Sequence, residues 1–179
     1  MTEPSRIYLS REDIAGLVER LASEIGGNYR DRSLTLIGVL RGGFVFLADL
    51  VRQLQAPVRR VDFVRVESYG AKMVSTGRPQ IVQGISRESI AGQDVLIVED
   101  IVDTGATTAA VLRYLRRHGP ASLGLCTLLD KPSRRQVDVS VDYVGMTIPD
   151  HFVVGYGLDF DERYRDLPDI WVIDPERED

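Results

Sequence analysis

One stretch constrains the fold and the chemistry together: Val95-Leu96-Ile97-Val98-Glu99-Asp100-Ile101-Val102-Asp103-Thr104-Gly105-Ala106-Thr107-Thr108. It opens with four apolar residues, three of them β-branched. A short continuous apolar run of this kind suits a strand buried on both faces, as in a parallel sheet. Two adjacent acids then cap the carboxyl end of that strand, and a helical pattern begins near Ala106. In open α/β sheets, ligands bind just beyond the carboxyl ends of the strands. Glu99, Asp100 and Asp103 therefore stand where chemistry is usually done.

The turn itself suits a phosphate. Thr104, Thr107 and Thr108 bring three hydroxyls, and Gly105 lets the backbone curl closely around an anion. The helix that follows would aim its free N–H groups and the positive end of its dipole at the same spot. Acids at a strand end beside such a cradle suit a ligand with a diol and a phosphate, that is, a sugar phosphate. The acids can accept from ribose hydroxyls or help hold Mg²⁺.

The rest of the chain alternates strand and helix patterns. Ser10 with Glu12 and Asp13 starts a helix whose apolar stripe is Ile14, Leu17, Val18, Leu21 and Ile25, stopped by Gly26-Gly27. Leu34–Leu40 reads as a strand and Phe44–Leu54 as a helix behind an Arg41-Gly42-Gly43 turn. Val58–Glu67 is a strand, 69–80 a loop, and Ile81–Ile85 a short strand. Val95–Val98 precedes a helix over Ala106–His118, ended by Gly119-Pro120. Leu123–Leu129 and Val141–Met146 are two further strands. The expected fold is α/β: a mostly parallel sheet with helices on both faces and a small cap after Pro149. At 179 residues one domain is expected, with a core over about 7–148. The N-terminal segment and about 149–179 would contribute to the cap, and the charged end 174–179 would be solvated.

Composition narrows the function classes. A formal net charge of −5 disfavours a general nucleic-acid binder, whose affinity rests on a basic surface. No apolar run is long enough to span a bilayer, and no signal-peptide core follows Met1. The single cysteine, Cys126, excludes an intrachain disulfide and reads as an inert core thiol, which fits the cytoplasm. No G-x-x-x-x-G-K-[ST] sequence is present, and Gly155-Tyr156-Gly157 is a lone G-x-G without a helix behind it, so neither a P-loop nor a dinucleotide fingerprint is supported.

Glu99-Asp100-Ile101-Val102-Asp103-Thr104-Gly105 resembles the signature of the type I phosphoribosyltransferases, which bind 5-phosphoribosyl 1-pyrophosphate. Further segments resemble the bacterial hypoxanthine-guanine branch of that family. They are Leu40-Arg41-Gly42-Gly43 (a pyrophosphate loop), Ser68-Tyr69-Gly70 (the start of a lid reaching about Val82) and Leu128–Arg135 (a purine-contacting strand end). Ile148–Asp159 is similar to the purine-lining segment, followed by Tyr164-Arg165-Asp166-Leu167-Pro168. The likeness runs from about Ile7 to Ile173.

The resemblance implies a purine salvage enzyme that joins a 6-oxopurine to the phosphoribosyl group with Mg²⁺, as a homodimer or homotetramer. Asp103 would be the general base, a role compatible with a helix N-cap Asp at the same place. Glu99, Asp100, Asp103, Thr104, Gly105, Ala106, Thr107, Thr108, Arg41, Gly42, Gly43, Ser68, Tyr69 and Arg165 would bind the sugar pyrophosphate. Lys131, Phe152, Val153 and Asp159 would bind the purine, and Glu99, Asp100 and Asp159 the metal. The Leu40–Arg41 peptide would be cis. Two other readings stand beside this one. A regulator of the pyrimidine-attenuator type would sense the same sugar phosphate and bind RNA, but it is expected to lack an acid at the Asp103 position. A transferase for another base, such as xanthine, differs only in purine contacts.

Overall fold

The computed structural model describes residues 3–68 and 79–173. Its elements run β1 (Pro4–Leu9), α1 (Arg11–Asn28), β2 (Leu34–Leu40), α2 (Phe44–Gln53), β3 (Val58–Ser68), β4 (Pro79–Gln83), α3 (Arg87–Ile90), β5 (Asp94–Val102), α4 (Ala106–Arg116), β6 (Ser122–Asp130), a 3₁₀ turn (Pro132–Arg134), β7 (Tyr143–Thr147), β8 (Phe152–Val154) and β9 (Ile170–Ile173). Six strands form one sheet in the order β4-β3-β2-β5-β6-β7, parallel except for edge strand β4. A three-stranded antiparallel sheet, β1-β9-β8, forms a second layer of structure.

Alternation along the central strands explains why both faces of the large sheet are covered. Leu34 and Leu36 of β2, with Leu96 and Val98 of β5, pack with Ile14, Leu21 and Ile25 of α1 and Phe46, Leu47 and Leu50 of α2. Ile37, Val39, Val95 and Ile97 point the other way, onto Val111, Leu112 and Leu115 of α4 and Ile90 of α3. Successive strand residues face opposite sides, so an unbroken apolar run is what a doubly covered strand requires. Truncating a fully buried leucine in such a core to alanine costs about 2–5 kcal/mol.

Several elements differ from the sequence expectation. The capping box at Ser10 is present: Asp13 N–H donates to Ser10 Oγ at 3.1 Å, and Ser10 N–H donates to the Asp13 carboxylate at 3.0 Å. However, α1 does not stop at Gly26-Gly27 but continues to Asn28. Gly26 is buried, and a side chain there would meet Gln55 at ordinary contact distance, 3.6 Å from its N, so the helix continues through the pair without strain. Next, β5 does not end before the acids. Ile101 pairs with Leu129 and Val102 with Asp130 of β6, and Val102 is fully buried, so pairing carries the strand past Glu99 and Asp100. Finally, β1 was not expected, because only its last residue, Leu9, is buried; its pairing with β9 makes it a strand. The short strand expected over Ile81–Ile85 is β4, which begins two residues earlier, so Pro79 and Gln80 of the expected loop pair with β3 and the expected lid is shortened at its far end. The solvated tail expected over 174–179 lies outside the described residues.

Candidate active site

The chain leaves β2 toward β3 on one side, and leaves β5 toward β6 on the other. The carboxyl ends of these neighbouring strands therefore part, which is where open α/β sheets place their ligands. Two adjoining cavities lie there, of about 260 and 310 Å³. Gly42, Asp100, Ile101 and Asp103 line both.

The smaller cavity is built by β5 and the turn into α4. Glu99, Thr104, Gly105, Thr107 and Thr108 line it. Gly105 has φ +81°, in the left-handed region, and a side chain there would overlap the Val137 carbonyl. The turn is pinned from outside: Gln136 and Val137 N–H donate to the Thr104 carbonyl at 2.9 and 3.0 Å, and Arg135 Nη1 donates to the Asp103 carbonyl at 2.7 Å. Ala106, the first residue of α4, donates its N–H to Thr104 Oγ1 at 3.4 Å. Thr107 and Thr108 of the first turn of α4 line this cavity, and the N-terminus of a helix favours an anion. Thr108 differs from its two fellow threonines. It is buried, and its hydroxyl donates inward to Glu99 Oε2 at 2.7 Å.

The acids sit in unusual surroundings. Glu99 is 4% exposed, and burial pushes its carboxyl up to about 8, helped by the neighbouring charge of Asp100 and opposed by the Thr108 hydroxyl. Asp100 keeps a partly exposed edge in the cleft, and burial raises it to about 6. An acid whose pKa rises on folding binds more protons folded than unfolded. The native state is then favoured most below the unfolded value near 4.5 and loses that advantage as pH climbs toward 8. Glu99→Gln is accordingly expected to raise the melting temperature at pH 8 in chelator-treated buffer, with a smaller gain or none at pH 5. Equal shifts at both pH values would show that Glu99 ionises as it does in water.

The larger cavity joins elements far apart in the chain. Arg41 and Gly42 come from the turn after β2, Lys131 follows β6, Phe152 and Val153 belong to β8, and Asp159 and Arg165 follow it. The Leu40–Arg41 peptide is cis. A side chain at Gly42 would overlap the Asp100 carboxylate and force it to move, and Gly43 forms the N-cap of α2. Arg41 pairs with Glu162, and Arg165 pairs with Asp159 at 2.9 Å while donating to the Gly157 carbonyl at 2.8 Å. Lys131 is 4% exposed; burial lowers its ammonium pKa, and Asp103, 3.9 Å from its Nζ, opposes that. Phe152 is 46% exposed, so it is no core residue. It meets Phe160 edge-on at 5.4 Å, while Val153 beside it is buried.

Most of the residues expected at the site thus converge on one cleft. Ser68 is the last residue of β3, and Tyr69 with the lid expected through residue 78 lies outside the described residues. Cys126 is fully buried in β6, and burial raises its thiol, consistent with an inert core residue. Among the described residues no group of three or more His, Cys, Asp or Glu gathers into a metal cage. Mg²⁺, however, is commonly held by one or two carboxylates plus substrate phosphates. Asp100 and Asp159 on one cleft wall fit that donor set.

Sequence reasoning missed the residues that hold these groups in place. Arg134 and Arg135 grip Asp103, and Glu162 joins Arg41 to Arg165. Asp161, Glu162 and Tyr164 all have positive φ, at 51°, 62° and 74°. Such conformations cost non-glycine residues about 1–3 kcal/mol each and cluster at functional sites. The charged run Asp159–Arg163 was the available signal.

Residues 6–161 match the phosphoribosyl transferase domain family. A hypoxanthine phosphoribosyltransferase of Salmonella typhimurium is 46% identical over 170 residues, spanning 94% of each chain. A hypoxanthine-guanine phosphoribosyltransferase of Bacillus subtilis is 42% identical over 170 residues, covering 95% of this chain and 93% of its own. Among solved structures, a hypoxanthine-guanine phosphoribosyltransferase of Bacillus anthracis superposes with a TM-score of 0.89 at 38% identity, over 97% of this chain and 100% of that one. With the match covering most of its length and the cleft lying at the sheet's switch point, this chain belongs to the phosphoribosyltransferase family.

Proposed function

We propose that this chain transfers the 5-phosphoribosyl group from 5-phosphoribosyl 1-pyrophosphate to hypoxanthine, and to guanine, releasing pyrophosphate. The observation that carries this reading is the pairing of a buried ammonium with a carboxylate, Lys131 and Asp103, 3.9 Å apart, in a cavity that the exposed Phe152 also lines. A 6-oxopurine offers a carbonyl to the first, an acidic ring N–H to the second and a flat face to the third.

The sugar 5-phosphate lies on the amides and hydroxyls of Thr104–Thr107, and the ribose hydroxyls reach Glu99 and Asp100. Pyrophosphate lies over Gly42 and Gly43, drawing Arg41 and Arg165 from Glu162. Asp103 takes the proton from the purine ring nitrogen as that nitrogen forms its bond to the anomeric carbon. The bond from that carbon to the pyrophosphate oxygen breaks, and its electron pair leaves with the pyrophosphate. Positive charge on the ribose and negative charge on the leaving group are greatest in the transition state, so Arg41 and Arg165 act most strongly there. Lys131 donates to the 6-oxo group and Phe152 stacks on the base. Val153 offers its backbone groups to the purine edge. Asp100 and Asp159 would hold Mg²⁺, which supplies charge neutralisation on the pyrophosphate. Ser68 and Tyr69, at the start of the expected lid, would close over the pyrophosphate and keep water from the sugar.

Among the described residues no helix is long and apolar enough to cross a membrane, in line with a cytoplasmic enzyme. We expect it to work as a dimer or tetramer. The reading is tested by initial rates with hypoxanthine, guanine, xanthine, adenine and uracil at fixed sugar pyrophosphate and Mg²⁺. Hypoxanthine and guanine should lead, adenine and uracil should be near background, and excess chelator should abolish the rate. Preference for adenine or uracil, or full activity in chelator, would contradict it.

A further inference from the structure

We propose that Arg134 is a positioning residue for Asp103, tying its carboxylate to Asp150 at the head of the purine-lining segment; this rests on the phosphoribosyl-transfer reading above. Arg134 closes the 3₁₀ turn after Lys131. Its Nε lies 3.4 Å from Asp103 Oδ1, and its Nη1 lies 3.5 Å from Asp150 Oδ2. The other Asp103 oxygen faces Lys131 Nζ at 3.9 Å. Among the described residues these are the ion pairs of Asp103.

The backbone around Asp103 is fixed separately. Arg135 donates to its carbonyl, and Gln136 and Val137 N–H donate to that of Thr104. What these contacts leave free is rotation of the Asp103 side chain. Lys131 and Arg134 restrain it, one on each oxygen. A 6-oxopurine that takes the Lys131 ammonium weakens the first restraint just when the carboxylate must face a ring N–H. Arg134 is then the restraint that remains.

Its guanidinium suits the task because separate N–H groups of one rigid plane can reach two carboxylates at once. A lysine there would offer one freely rotating ammonium, with no rigid plane to fix the two carboxylates in set directions. The Arg134 side chain is 47% exposed and that of Asp150 56%, so the pairs add little to folding stability. Their value lies in orientation, and a misplaced catalytic group loses rate steeply.

The test uses the full chain with Arg134→Gln, Arg134→Lys, Asp150→Asn and the double variant Arg134→Gln/Asp150→Asn. Arg134→Gln should lower kcat with hypoxanthine about 10-fold. KM for the sugar pyrophosphate and the melting temperature should stay at wild-type values. Arg134→Lys should recover only part of the loss. The double variant should be no slower than Arg134→Gln alone, because both changes cut one chain of contacts. Wild-type kcat in Arg134→Gln, or a loss that falls on KM for the sugar pyrophosphate instead of kcat, would overturn the proposal. Wild-type protein that forms no nucleotide from hypoxanthine would overturn the reaction itself, and this role with it.

Discussion

Asp103→Ala is expected to lower kcat by about 10²-fold or more, the usual scale for removing a general base. That is about 2.7 kcal/mol of lost transition-state stabilisation. The residue lies on the wall shared by the two cavities, so its carboxylate can meet a base held in one and a sugar held in the other. Backbone contacts from Arg135, Gln136 and Val137 hold the turn independently of the side chain, so the cradle should survive the change. KM for the sugar pyrophosphate should therefore move little. Activity that remains would come from the arginines and the bound metal, which stabilise the leaving group without the base. Asp103→Asn separates the two contributions of the carboxylate: it keeps the shape but cannot accept the proton, and should be nearly as slow. Wild-type turnover in either variant at saturating substrate would remove Asp103 from the chemistry.

Lys131→Met is expected to raise KM for hypoxanthine by roughly 10- to 100-fold, since a hydrogen bond to a charged group contributes about 1.5–3 kcal/mol. Met replaces the aliphatic stem with similar volume and no ammonium. The same change should erase most of the preference for hypoxanthine over adenine. A buried donor left unpaired by an amino-purine is what rejects that base, and without the donor nothing does. Lys131 is suited to this because it is 4% exposed, so little water competes for it. KM for the sugar pyrophosphate, bound through other residues, should change little. If hypoxanthine KM and the selectivity over adenine both persist, Lys131 serves only as a counter-charge to Asp103.

The central strands and the cradle were legible because their signals are local. Val95–Val98 had to be buried on both faces, and the small, hydroxyl-rich turn behind it, proposed as the phosphate cradle, lines the smaller cavity. Elements stabilised from a distance were not. β1 carries one buried residue and exists through pairing with β9, more than 150 positions along the chain, as in Ile7 with Trp171. α1 passes Gly26-Gly27 with Ile25 and Gly26 buried, a tertiary circumstance that local stop signals cannot register. The same holds in the site. Lys131 stood out only through the family resemblance, whereas Asp103 could be picked out by the chemistry of its surroundings. Arg134 could not, because its partner lies 31 positions away, and the Arg41–Glu162 pair spans 121. Phe152 is the converse case: its neighbours in sequence made core packing nearly as good a reading, and its exposure in the structure turns it toward the cleft.

The most direct measurement follows purified protein with hypoxanthine, 5-phosphoribosyl 1-pyrophosphate and Mg²⁺, with inosine monophosphate and pyrophosphate quantified over time. One mole of each should appear per mole of hypoxanthine consumed, with the Asp103→Asn protein at least about 10²-fold slower under the same conditions. Release of pyrophosphate without nucleotide, or nucleotide formation that is indifferent to Asp103, would contradict the account.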